Sequence, residues 1–183
     1  HGMPIVTVVC CYAGPVDEGE KVVRPMREFG SPLLDLCVPK PFVQHQAMFD
    51  PSFPEGWWYY FRSCNLDALT DPVIDVIAEH APGMTSPQTA FPIFHLGGAV
   101  SRVGDVETAF IGRRTAHTVN VNAVTVGSDG FDDERAWSRS FWTALSPYHS
   151  SVYVNFLMEE GQQRVRDAYG AAKYDRLRLL KQQ

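Results

Sequence analysis

Tyr153 and Asn155 stand two residues apart in the stretch SVYVNF, and Asn120 and Asn122 stand two apart in AHTVNVNAV. A phenol can give or take a proton, and a carboxamide both donates and accepts hydrogen bonds. Side chains two apart in an extended chain share a face, so each pair presents its groups together. Taken alone, a strand tyrosine is most often a half-buried packing residue with its hydroxyl satisfied. Asparagines alternating with Val119, Val121 and Ala123 read equally well as the solvated face of a sheet whose other face is apolar.

Other groups with chemistry to offer are dispersed. His1, His45, His80, His95, His117 and His149 form no H-E-x-x-H or other compact ligand set, so no metal site is expected. The run LGGAVSRVGD has adjacent glycines, Gly97 and Gly98, but neither G-x-G-x-x-G nor a P-loop lysine; it reads as a tight turn. No G-x-S-x-G elbow supports a serine nucleophile. Cys10, Cys11, Cys37 and Cys64 include no C-x-x-C pair. Cys10 and Cys11 are expected on opposite faces of one strand. The thiols read as buried structural groups of a reducing compartment, which favours a cytoplasmic location.

The elements that position these residues follow from periodicity. MPIVTVVCCYAG reads as a buried strand. VDEGEKVVRPMREFG reads as a helix with an Asp17/Glu20 capping box, a stripe of Val22, Val23, Met26 and Phe29, and a stop at Gly30. PLLDLCV is a short strand, PFVQHQAMFD a short helix or an irregular connection, and GWWYYFRS a strand with Trp58, Tyr60 and Arg62 on one face. TDPVIDVIAEHAPG is a helix that Thr70 can cap, with Val73, Val76 and Ile77 towards the core. TAFPIFHLGG is a strand entering a turn, ETAFIGRRTAHTVNVNAVTVG a further long extended region with the alternation in its second half, and GFDDERAWSRSFWTALSP an amphipathic helix. SVYVNF is a short strand, followed by a helix with Tyr174, Leu177 and Leu180 as its stripe. Strands and helices mix without βαβ alternation. The expected class is therefore α+β: an antiparallel sheet with helices packed on one face.

The chain has 183 residues, 45% of them hydrophobic, with a net charge of −5. That is a globular composition able to bury a core. An acidic, unclustered charge argues against nucleic acid as a partner. No apolar run approaches the ~20 residues of a membrane span. The opening HGM places two residues before a methionine, so His1 and Gly2 read as a cloning remnant and Met3 as the first native residue.

In order along the chain, SPLLDLCVPKPFVQHQAMFD, GWWYYFRSCNLDALTD, GGAVSRVGDVETAFIGRR, YVNF and YGAAKYDRLRLLKQQ resemble the berberine bridge enzyme-like FAD-linked oxidoreductases of the vanillyl-alcohol oxidase superfamily. That family's Y-x-N-[YF] is matched by Tyr153, Asn155 and Phe156. Its Y-G-x-x-[KN]-Y-x-R-L-x-x-[VL]-K is matched by Tyr169, Gly170, Lys173, Tyr174, Arg176, Leu177, Leu180 and Lys181.

The resemblance implies that residues 3–183 are a substrate-binding domain cut at both ends. An N-terminal FAD-binding domain would precede Met3, and the family's Y-D-P-x-N-x-F segment would follow Gln183. It implies a large antiparallel sheet roofing the flavin. The parent would be an FAD-dependent oxidoreductase that oxidises an alcohol, sugar or secondary-metabolite carbon by hydride transfer. Tyr153 is implied as the base and, with Asn155, as a flavin contact. Removing the hydroxyl proton helps a hydride leave the same carbon. Where other members carry an acid on the strand after P-H-R, this chain has IGRR and then valines and asparagines; both departures favour Tyr153 over a carboxylate. Asn120 and Asn122 on that strand are the implied substrate contacts. FAD is not expected on this chain alone, which should be inactive by itself and should self-associate through the sheet face that its flavin domain would cover. The competing reading is a free-standing α+β ligand-binding module without flavin.

Overall fold

A computed structural model describes residues 4–158 and 161–183, and the chain separates into the units His1–Glu55 and Gly56–Gln183. The readings made for His1, Gly2 and Met3 lie outside the described residues.

In the first unit, α1 (Val16–Arg27) carries Asp17 and Glu18 in its first turn and Arg24 and Arg27 in its last, which suits the helix dipole. The expected capping box is not formed. The helix starts one residue before Asp17, with Pro15 at the N-cap and no side-chain cap. Pro25 sits inside the helix, and Val22, Met26 and Phe29 of the expected stripe are exposed. α2 (Phe42–Gln46) runs into a 3-10 turn, Ala47–Ser52, as the short helix reading anticipated. The two expected strands are absent: MPIVTVVCCYAG and PLLDLCV carry no regular structure where described. Val6 is 97% exposed. β-branched residues favour extended backbone, but a strand exists only where a neighbour accepts its hydrogen bonds. Cys10 is half-buried and Cys11 exposed, so the expectation of buried thiols fails here. No described residue of this unit is buried. It is tied instead by Arg27, which pairs with Glu20 at 2.5 Å and Asp35 at 2.9 Å and donates to the Cys37 carbonyl.

The second unit contains β1 (Trp58–Leu66), α3 (Asp71–His80), β2 (Ile93–His95), α4 (Ala99–Arg102), β3 (His117–Thr125), α5 (Phe131–Leu145), β4 (His149–Ser151), α6 (Gly161–Tyr169) and α7 (Ala171–Lys181). The sheet order is β2-β3-β1-β4, antiparallel throughout. β1 and β3 pair along their full length, with Cys64 opposite Val119, Arg62 opposite Val121 and Ser63 opposite Asn120. This register puts Cys64, Leu66, Val119 and Val121 on one face, where they pack with Val73 of α3 and Phe141 and Leu145 of α5. Each such large apolar side chain contributes roughly 1.5–3 kcal/mol by leaving water. The α+β class, with helices on one face of an antiparallel sheet, is as expected.

Three local readings are corrected. Thr70 stands at the N-cap of α3 but its side chain makes no capping bond; its carbonyl accepts from Ile74 N–H at 2.9 Å. α7 buries none of its residues, and Leu180 of its expected stripe is 52% exposed. Tyr153 is not on a strand. β4 stops at Ser151, and Tyr153 precedes a 3-10 turn, Val154–Phe156. β4 pairs with β1 through only two residues, across an irregular register.

Candidate functional site

The second face of the sheet carries the alternate residues of the same strands. Phe61 faces Asn122, Ser63 faces Asn120, and Asn65 faces Thr118. This face is not solvated, contrary to the simplest reading of the alternation: Ser63 is 1% exposed, and Asn120 and Asn122 are 5% exposed each. One end is closed by hydrogen bonds. Thr118 Oγ1 donates to Asn65 Oδ1 at 2.7 Å, and Asn65 Nδ2 donates to Ser151 Oγ at 2.8 Å. Gly112 of the IGRR stretch presses on this network in the left-handed region (φ +76°). A Cβ there would meet Ser151 Oγ at 2.8 Å and Asn65 Nδ2 at 3.0 Å, so only glycine fits.

Beyond Thr118 the network stops. The Oγ of Ser63 and the Oδ1 atoms of Asn120 and Asn122 are buried and have no hydrogen-bond partner. Buried polar atoms are seldom left so. Three on one face of two adjoining strands form a row of hydrogen-bonding groups held ready by the sheet. Ser63 was not singled out from the sequence, although the alternation that marked the asparagines runs equally through Phe61, Ser63 and Asn65.

Tyr153 and Asn155 are brought together directly: Asn155 Nδ2 donates to the Tyr153 hydroxyl at 2.7 Å. The Tyr153 ring is half-buried, edge-on to Phe110 at 5.8 Å and to Phe156 at 5.3 Å. Phe156 stacks with Phe94 at 6.2 Å, and Phe94 lies opposite Thr118 on the asparagine face. The tyrosine is thus joined to that face through two phenyl rings. Two concavities lie elsewhere. One of about 420 Å³ runs between His149–Val152 and the first turns of α6 and α7, and one of about 530 Å³ includes Gly112 and Lys173; neither is lined by Tyr153, Asn155, Asn120 or Asn122.

Among the described residues no cluster of three or more metal-ligating side chains occurs, and no helix is long and apolar enough to cross a membrane.

The fold is shared by proteins of known structure. The structure of pregilvocarcin in complex with GilR, an oxidoreductase that catalyzes the terminal step of gilvocarcin biosynthesis, superposes with a TM-score of 0.58 at 17% identity, over 67% of this chain and 29% of that one. BBE-like 1 of Physcomitrella patens gives 0.55 at 18% identity, over 64% and 27%. In sequence, an FAD-linked oxidoreductase of Dictyostelium discoideum is 26% identical over 187 residues, covering 96% of this chain and 41% of that protein. No family model matches. These relatives bear out the resemblance to berberine bridge enzyme-like FAD-linked oxidoreductases. The chain spans about two-fifths of the length of the curated relative it matches.

Proposed function

We propose that this chain is the substrate-domain part of an FAD-dependent oxidoreductase acting on an alcohol, sugar or secondary-metabolite carbon. The carrying observation is the row of buried, unpartnered Ser63 Oγ, Asn120 Oδ1 and Asn122 Oδ1. Such atoms would accept hydrogen bonds from the hydroxyls of a polyol or from N–H groups of a flavin ring, and being buried they would have to be uncovered for either to reach them. Flavin, when bound, supplies the hydride acceptor. Asn120 and Asn122 orient the substrate. Tyr153 takes the hydroxyl proton, and the Asn155 amide holds the phenol oxygen in place at 2.7 Å. The rings of Phe110 and Phe156 pack edge-on against it. A partner domain would bring the phosphate-binding elements. The exposed Ile5, Val6, Val9, Leu34 and Val38 of the first unit are the apolar surface available to it.

Anaerobic stopped-flow reduction of the flavin in the complete flavoprotein tests this. Tyr153→Phe keeps the ring packing and removes the proton acceptor, so flavin reduction should slow by ~10²–10⁴-fold with substrate binding retained. Reduction within about twofold of wild type would return Tyr153 to a packing role. A complete protein that binds no flavin would favour the free-standing ligand-binding module instead.

A further inference from the structure

The geometry points to a two-histidine site for a divalent transition-metal ion at the edge of the sheet, formed by His95 of β2 and His117 of β3. The two residues are direct partners in the β2/β3 register. Leu96 N–H donates to the Ala116 carbonyl at 2.8 Å, which makes His95 and His117 a non-hydrogen-bonded pair. That is the position at which side chains of antiparallel strands approach most closely. Nδ1 of His95 lies 3.4 Å from Nε2 of His117, and the rings are inclined by 55°. An N···N separation of 3.4 Å is long for a hydrogen bond between ring nitrogens. It suits a shared ion well. With metal–nitrogen bonds of about 2.0–2.1 Å the angle at the metal is roughly 110°, the tetrahedral value.

The surroundings restrict which atoms can ligate. Nδ1 of His117 is buried and has no partner, so Nε2 is the nitrogen its ring offers. His95 is exposed, giving an ion a way in and leaving room for water to complete the coordination. Imidazole ligands suit zinc, copper and nickel over magnesium or calcium. His117 alternates with Thr118 and Asn120 and so lies on the opposite side of β3 from the asparagine row. The ion would therefore be separate from the proposed substrate face. It would bind the three-residue edge strand β2 to the long central β3.

Calorimetric titration of zinc chloride into the tag-free chain, in a non-chelating buffer near neutral pH, tests the site. One zinc per chain is expected. Affinity should fall at least about tenfold in His95→Gln and in His117→Gln, and should be unchanged in His149→Gln. Zinc should raise the Tm of wild type and His149→Gln but not of the two site variants. His95→Gln, at an exposed position, carries the test if the half-buried His117 proves needed for folding. No zinc uptake at 100 µM (about fifty times a protein concentration of 2 µM), or uptake indifferent to His95→Gln, would overturn the site and leave the pair as two imidazoles in contact.

Discussion

Glu134 and Asn120 are buried almost alike, at 1% and 5% exposure, yet their surroundings differ. Glu134, on α5, meets a complete set of donors. The Thr85 and Ser86 N–H groups and the Thr85 hydroxyl converge on Oε1 at 2.5–2.6 Å, and the Thr89 hydroxyl donates to Oε2 at 2.8 Å. Asn120 and Asn122 keep buried Oδ1 atoms with no partner, and Ser63 beside them does the same with its hydroxyl. A buried carboxylate surrounded by its own chain's donors is finished structure: it fastens the loop before Ala90 to α5. Buried amides without partners carry an unmet cost that a ligand or partner would relieve. Polar burial alone does not distinguish architecture from function; the state of the hydrogen bonds does.

The largest effect is expected at Glu134. Glu134→Leu strands the Thr85 and Ser86 N–H groups and the Thr85 hydroxyl, at ~1–3 kcal/mol for each buried donor left unpaired. A loss of more than about 3 kcal/mol is expected in urea unfolding, with Glu134→Gln costing less because its amide oxygen can replace Oε1. A leucine variant within about 1 kcal/mol of wild type would show that the loop is not held by this residue.

The next largest effect is set by pH on the helix-covered face. Burial pushes the Cys64 thiol up to about 12 from an ordinary value of 9.0. The folded state thus keeps its proton while the unfolded chain loses it. Stability is intact below about pH 9 and falls as pH rises towards 12, by about 1.4 kcal/mol per unit from this residue. Cys64→Ala should flatten that part of the profile. Equal slopes for the two proteins would mean that water reaches the thiol.

Asn120→Leu sharpens the contrast from the other side. Replacing an unpartnered amide by an apolar group of similar size should leave stability unchanged or raise it by about 1 kcal/mol. In the complete flavoprotein it should weaken substrate binding. A stability loss above about 2 kcal/mol would expose an internal role for the amide and remove it from the site.

The smallest effect belongs to His149, whose Nδ1 is buried and unpartnered. Burial, followed by the charge of Arg164, holds its imidazole below the ordinary value. The unfolded chain therefore takes up its proton first. His149 contributes stability that is present above about pH 6.5 and is lost as pH falls. Thermal melts of His149→Gln should show a weaker decline between pH 6.5 and 5 than wild type. An identical decline would assign the acid sensitivity to other groups.

β1, β3, α3 and α5 are legible in the sequence because each carries its own period: two for the strands, 3.6 for the helices. Their assembly into an α+β layer follows, since the apolar faces have only each other to bury against. MPIVTVVCCYAG and PLLDLCV have as much β-branched or apolar character as β1, but their described residues form no strand, because pairing is supplied by a neighbour and not by composition. The same limit moved Tyr153 off its expected strand: β4 has only two residues paired to β1.

At the sites, residue types came from the sequence and their meaning from the tertiary structure. The alternation in AHTVNVNAV established that Asn120 and Asn122 share a face. Whether that face is wet or buried depended on what lies over it, and Ser63 joined it only through the β1/β3 register. Tyr153 and Asn155 meet because they are two residues apart. His95 and His117, scattered by 22 residues, meet because antiparallel pairing brings chain positions with no local relation to 3.4 Å. Local periodicity is written in neighbouring residues, whereas register, burial and unmet hydrogen bonds arise from contacts between distant segments and exist only once the chain has folded.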